Sequence, residues 1–312
     1  MRKPDSNDRL TPLPIGTQVV TLGKITTPDG TQLCPQGALG VILRTFGDPG
    51  DRYLVRFPDG TEATIARHDL TIRRHFQHLS VYPEDKAYLS KTLKTYVIYQ
   101  CIVGSRAYGL DDEGSDTDRR GIYLPPADIQ WSLVGVPEQL EDHETQECYW
   151  ELQKFLTLAL RANPNILESL FTPLVEVATP LARELLAMRS SFLSQLVYQT
   201  YNGYVMSQFR KLGQDLRNVG RIRWKHAMHL IRLLLSGVEV LRTGIVPVRV
   251  GAHREELLAI RRGDMTWQQI DDWRLQLHKD FDAALATTQL PLRPDYEKAN
   301  EFLVHARRSM VS

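Results

Sequence analysis

The sequence predicts an α+β protein built from three successive parts, and three observations carry that reading. Between residues 13 and 75, short alternating apolar segments are separated by turn formers, as in a small antiparallel barrel. From 91 to 180, strand-like and helix-like apolar runs alternate, as in a mixed sheet flanked by helices. From about 181 onward the apolar spacing settles near 3.6 residues, as in a helical domain. The parts are expected at 1–78, 79–180 and 181–312.

In the first part, Thr17–Leu22, Ala38–Leu43, Tyr53–Phe57 and Glu62–Ile65 read as strands, and Asp29-Gly30 and Asp59-Gly60 as hairpin turns. Roughly five strands in some sixty residues suggest an SH3-like β-barrel. Residues 76–90 read as a link or a short helical entry. In the last part, helices are expected over Leu181–Leu196, Gln199–Asn218, Arg223–Arg242 and Asp271–Thr287, with Gly244 and Pro247 closing the third.

Composition sets the class. With 42% hydrophobic and 24% charged residues in a chain of 312, the protein reads as ordinary soluble and globular. No apolar run approaches the ~20 residues of a membrane span. The N-terminal residues carry positive charge without an apolar core behind it, so no secretory signal is expected. Cys34, Cys101 and Cys148 fit neither a zinc nor a disulfide pattern and point to a reducing cytoplasm. A net charge of +1 leaves any case for nucleic acid to local clustering.

The chemistry concentrates in residues 104–123. The strand-like Tyr96–Val103 ends on Gly104-Ser105; Ser115-Asp-Thr-Asp118 follows, and then the strand-like Gly121–Leu124. In a strand, Asp116 and Asp118 would point to one side and could share a hard cation such as Mg²⁺. Gly104-Ser105 leaves open backbone N–H groups to a phosphate. A turn merely rich in Asp, Gly and Ser is the plain alternative.

This stretch resembles the DNA polymerase beta superfamily of nucleotidyltransferases, in which Gly-Ser precedes Asp-x-Asp by roughly ten residues. The longer form, Gly-Ser-Arg-Ala-Tyr-Gly and then Ser-Asp-Thr-Asp-Arg-Arg-Gly-Ile-Tyr, is similar to predicted nucleotidyltransferases associated with RNA-repair ligase operons. Trp150–Phe155, Asn163–Glu168 and Lys225–Arg232 extend the likeness over about residues 88–295. The resemblance implies two Mg²⁺ ions, with Mn²⁺ as a substitute, on Asp116 and Asp118, and an NTP substrate. It also implies a third carboxylate on a neighbouring strand, for which Glu151 and Glu147 are the candidates, Glu151 slightly preferred.

Several basic residues are candidates for the nucleotide. Ser105 and Arg106 flank the turn, and Lys154 lies one helical turn after Glu151. Arg119 and Arg120 follow the acids, and one of them reads as their neutraliser. Lys225, His229 and Arg232, at i, i+4 and i+7, share a helix face and suit a phosphate; His226 and His229 lack the partners of a metal site. Asn163-Pro164 reads first as a helix start. Arg210, Lys211, Arg217, Arg221, Arg223 and Lys225, with Tyr201, Tyr204 and Trp224, suit single-stranded RNA or a tRNA end, or a charged helix face packed through its aromatics.

The leading expectation is therefore transfer of an NMP from an NTP to an RNA or tRNA 3′ hydroxyl, with the barrel gripping RNA or a protein partner. AMP transfer to a protein or small molecule is the alternative within the fold. A nucleotide-sensing or RNA-binding scaffold is the alternative outside catalysis.

Overall fold

The computed structural model describes residues 12–27, 32–46, 51–76, 92–142, 144–220 and 222–311. The Asp29-Gly30 turn, Arg221 and nearly all of the expected link at 76–90 lie outside them. The chain divides into two compact units, Met1–Lys86 and Ala87–Ser312.

The first unit is an antiparallel sheet of five strands: β1 (Gln18–Thr21), β4 (Leu39–Phe46), β5 (Arg52–Arg56), β6 (Glu62–Ala66) and β7 (Leu70–Ile72). Their order is β6-β5-β4-β1-β7. A short ribbon, β2 (Ile25–Thr26) with β3 (Gln32–Cys34), stands apart from it. Period-2 alternation sends Tyr53, Val55, Ala63 and Ile65 inward with Ile42 and Leu70. Asp59-Gly60 makes the β5–β6 turn as expected: the Asp59 carboxylate accepts from the Thr61 N–H at 2.9 Å and Gly60 takes a φ of 85°. Among the described residues no pairing joins β6 to β7, so the sheet is not closed into a barrel. A 3₁₀ turn at Arg67–Asp69 links these two strands, which lie at opposite edges.

The second unit carries a mixed sheet of order β10-β11-β9-β8-β12. Its strands are β8 (Val97–Val103), β9 (Asp118–Tyr123), β10 (Gln139–Asp142), β11 (Glu147–Glu151) and β12 (Val175–Ala178). Only β9 and β11 run parallel; the other neighbours are antiparallel. One face, with Cys101, Ile122 and Trp150, joins the main core; the other holds Tyr123, Leu140 and Tyr149 against Leu93.

The helices follow in order: α1 (Gly104–Tyr108), α2 (Ala127–Gln130), α3 (Leu152–Leu160), α4 (Pro164–Phe171) and α5 (Pro180–Ala187). Then come α6 (Leu196–Val219), α7 (Trp224–Thr243), α8 (Arg254–Arg262), α9 (Trp267–Thr287) and α10 (Tyr296–Arg308). Asn163 caps α4 through the Asn165 and Ile166 N–H groups, with Pro164 in the first turn. α7 is the central helix; α6, α8 and α9 pack on it, and Gly244 ends it at a φ of 70°. The expected helix Leu181–Leu196 is instead broken. α5 stops at Ala187, Arg189–Phe192 forms a 3₁₀ turn, and α6 begins at Leu196. The serines at 190, 191 and 194 are weak helix formers that interrupt the run. α8 and α10 have no counterpart in the sequence expectations. One apolar core runs from Tyr99 to Ala306, so the break expected near 180 does not separate two cores.

Candidate active site

The site is built where β8 hands over to α1. Val103 at the end of β8 pairs with Asp118 at the start of β9, which sets the Gly-Ser turn beside that aspartate. Gly104 takes a φ of 73°, and a Cβ there would stand 2.6 Å from Asp118 Oδ2. No other residue fits so close to the carboxylate in that conformation. Ser105 opens the first turn of α1, and Gly109 ends the helix in the left-handed region.

Asp116 does not belong to β9; it lies in the loop before it. Its approach to Asp118 is therefore a product of loop structure, not of strand alternation. Arg106 donates to the carbonyls of Ser115 (2.8 Å) and Asp116 (3.4 Å). Ser115 Oγ donates to the Asp112 carboxylate at 2.7 Å and accepts from the Asp112 N–H at 2.9 Å. From α8, Arg261 grips the Leu110 carbonyl at 2.7 Å and forms an ion pair with Asp112. Arg106 thus serves the loop's backbone.

These residues open on a cleft of about 130 Å³ lined by Ser105, Asp116, Asp118, Lys225, His229 and Arg261. The turn and both aspartates form one wall; α7 and α8 form the other. Asp116 carries no ion pair among the described residues, and Asp118 has only Arg120, at 3.5 Å. Lys225 is exposed at the cleft. Burial, followed by the charges of Arg232 and Lys225, pulls His229 down to about 4, so the imidazole is neutral near pH 7. Its ring meets Tyr108 edge-on at 6.2 Å.

The structure does not bring every expected residue here. Arg232, expected to hold phosphate, points behind the cleft. Its Nη1 donates to Glu168 Oε1 at 2.7 Å, and its guanidinium lies 3.6 Å from the centre of the Tyr108 ring. Tyr108 completes the network by donating to Glu168 Oε2 at 2.6 Å. Burial alone would lower the Arg232 pKa, but Glu168 and Tyr108 more than offset it and the group stays charged. Lys154 pairs with Glu138 on the surface at 2.5 Å. Of the two neighbours of the acids, Arg119 pairs with Glu176 and Arg120 leans on Asp118.

Neither expected third carboxylate meets the aspartates. Glu147 stands opposite Arg119 and Glu151 opposite Tyr123, so both occupy the sheet face that Asp118 does not. Glu147 pairs with Lys94 at 3.0 Å. Glu151, at the far end of β11, caps α3 through the Gln153 N–H (2.9 Å) and pairs with Arg307. On the face of Asp118, β11 offers Cys148 and Trp150 instead. The i, i+4 spacing correctly places the two glutamates on one face; it does not say which face.

Tyr108, Asp112 and Arg261 are the cleft residues that sequence reasoning did not single out. Tyr108 lay inside the Gly-Ser-Arg-Ala-Tyr-Gly motif and carried that much signal. Arg261 sits in an unremarked Arg-Arg pair about 145 residues from the acids, and nothing local marks it.

Two hard carboxylates without a strong ion pair suit a divalent cation such as Mg²⁺, which fills its remaining positions with water and substrate oxygens. Among the described residues no group of three or more His, Cys, Asp or Glu converges as a ready ligand cage. The aspartates fit such an ion; a protein-only shell does not.

A Gly-Ser turn and an aspartate made neighbours by strand pairing, on a mixed sheet with a helical wall opposite, define a nucleotidyltransferase of the polymerase beta type. Residues 82–305 match the model of the RNA repair pathway DNA polymerase beta family, and the chain belongs to that family. It is also similar to the uncharacterized protein YcgL of Bacillus subtilis strain 168. The two are 26% identical over 156 residues, 48% of this chain and 58% of YcgL, so the chain spans little more than half of that relative. Among the described residues no helix is long and apolar enough to cross a membrane.

Proposed function

We propose that the cleft transfers a nucleoside monophosphate from an NTP to the 3′ hydroxyl of an RNA, in a repair or processing step. The observation that carries this reading is the meeting of Ser105, Asp116, Asp118 and Lys225 in one cleft, though they lie up to 120 residues apart in the chain. In the reaction the acceptor oxygen bonds to the α-phosphorus, the α–β bridging bond breaks, pyrophosphate leaves and the hydroxyl proton passes to solvent. Asp116 and Asp118 would hold Mg²⁺ or Mn²⁺, two ions in the mechanism the family likeness implies; bound there, the metal supplies charge neutralisation and hydroxyl activation.

The chain's own residues do the positioning. The Ser105 hydroxyl and the backbone N–H groups of the turn receive triphosphate oxygens. Lys225 neutralises phosphate from the opposite wall. Arg106 and Arg261 fix the loop that carries Asp116. With Glu147 and Glu151 both on the other face of the sheet, neither would serve there as general base. The basic stretch around Lys211, Arg217, Arg223 and Lys225 would follow the RNA backbone into the cleft. The N-terminal sheet, as an SH3-like module, would grip RNA or a protein partner.

Incubation with each α-³²P-labelled NTP, Mg²⁺ and total cellular RNA tests the reading, beside an Asp116→Ala/Asp118→Ala control. Label entering RNA with the intact protein alone is expected. Label on protein or a small molecule would replace RNA with another acceptor. NTP binding without transfer to any acceptor would leave a sensor.

A further inference from the structure

A second cavity, of about 520 Å³, lies in the helical region behind the cleft, between the middle of α7, the segment 247–253 and α9. Beneath its floor two buried polar atoms make no hydrogen bond among the described residues. Ser236 is 3% exposed and its Oγ makes no hydrogen bond; Arg232 is 7% exposed, and while Nη1 serves Glu168, Nε makes none. Both atoms are sealed from the cavity, so contact with a ligand falls to the groups on its walls. Arg242 and Arg249 stand exposed on the walls, with no ion pair among the described residues. Trp273 offers a half-buried aromatic face, and Leu235, Val238 and Leu277 supply apolar surface. Glu239, Asp280 and His253 also line it; Asp280 accepts from Gln276, and the His253 ring lies 5.9 Å from that of Trp273, tilted by 49°.

Each feature names part of a ligand. Two free guanidinium groups, those of Arg242 and Arg249, suit the oxygens of a phosphate. An aromatic and aliphatic wall suits a planar ring, and Glu239 accepts from N–H or sugar hydroxyl groups. The volume falls within the roughly 300–1,000 Å³ of small-ligand sites. The cavity also shares a wall with the cleft: Arg232 stacks on Tyr108, which lines the cleft, and the Val250 N–H donates to the Tyr108 carbonyl at 3.1 Å.

We propose that this cavity is a second nucleotide site, separate from the catalytic cleft, that takes one nucleoside monophosphate unit. The unit is either a free mononucleotide or the terminal nucleotide of an RNA strand. It seats its ring on Trp273 and its phosphate between Arg242 and Arg249.

Calorimetric titration of the full chain in EDTA tests this, with 5′-AMP and a 5′-phosphorylated hexa-adenylate as probes. Without a divalent ion the aspartate cleft is not expected to hold either. Saturable binding of at least one probe is expected. It should weaken by about tenfold or more in Arg242→Ala/Arg249→Ala, whose altered side chains are exposed. It should persist in Asp116→Ala/Asp118→Ala. Tighter binding of AMP points to the free nucleotide, and tighter binding of the oligonucleotide to an RNA end; both support the site. No saturable binding of either probe overturns it, as does equal binding by the arginine variant or loss in the aspartate variant. Nucleotide transfer is not part of this readout, so the site and the transferase reading fail separately.

Discussion

Two acid–base groupings lie back to back in this protein and are built on opposite principles. Behind the cleft, Glu168, Arg232 and Tyr108 are buried, and each carboxylate oxygen is matched to a donor. In the cleft, among the described residues, Asp116 has no ion pair and Asp118 only a long contact with Arg120. A buried charge must be paired, because desolvation costs several kcal/mol per ion. A charge that is to meet a metal and a triphosphate must be left open. The comparison also explains two of the blocks of family likeness: Asn163–Glu168 and Lys225–Arg232 meet through the Glu168–Arg232 ion pair.

The two groupings should respond oppositely to substitution. Removing either cleft carboxylate, as in Asp118→Asn, should cut nucleotide transfer by about 10³-fold or more, the equivalent of several kcal/mol of lost charge stabilisation. Its denaturation midpoint should stay close to wild type. Glu168→Ala should do the reverse to stability, costing about 3–5 kcal/mol in urea unfolding, because it strands Arg232 in the core. Glu168→Leu with Arg232→Met should recover part of that loss; no recovery would mean that the network is not held by charge pairing.

His229, at the boundary of the two groupings, gives a pH test. In the unfolded chain it titrates near 6.5, and in the folded protein at about 4. Between those values the unfolded state binds the extra proton, so stability rises with pH there. The contribution is complete above about 6.5, falls away as pH drops towards 4, and amounts to about 3 kcal/mol. His229→Gln should flatten that part of the stability profile.

Smaller effects sharpen the picture further. Gly104→Ala should cost roughly 1–2 kcal/mol for the left-handed backbone, and should also lower transfer by displacing Asp118. Glu151→Gln should cost about 1 kcal/mol through its cap and its Arg307 contact, with transfer rates near wild type. A large catalytic loss in Glu147→Gln or Glu151→Gln would mean that β11 turns its other face to the substrate.

How far the sequence reached differs by residue. The nearness of the Gly-Ser turn to Asp118 was legible because a strand end and a strand start on either side of a short connection become neighbours when those strands pair; Asp116, expected in the strand, lies in the loop before it. Asn163-Pro164 was legible as a helix start because capping is local. The SH3-like barrel was read from strand count and turn spacing, which do not determine whether the last two strands meet. The broken helix at 188–195 was missed because the apolar period continues across residues whose weak propensity breaks it.

By itself, the sequence determined the α+β class and most strand and helix positions, since periodicity and turn chemistry act over a few residues. Tertiary structure alone decided which face of β11 the glutamates take, that Arg232 is consumed by Glu168, and that Arg261 comes back to hold the Asp112 loop. Pairing register and helix packing set those contacts, between residues 28 to 149 positions apart, and no local pattern encodes them.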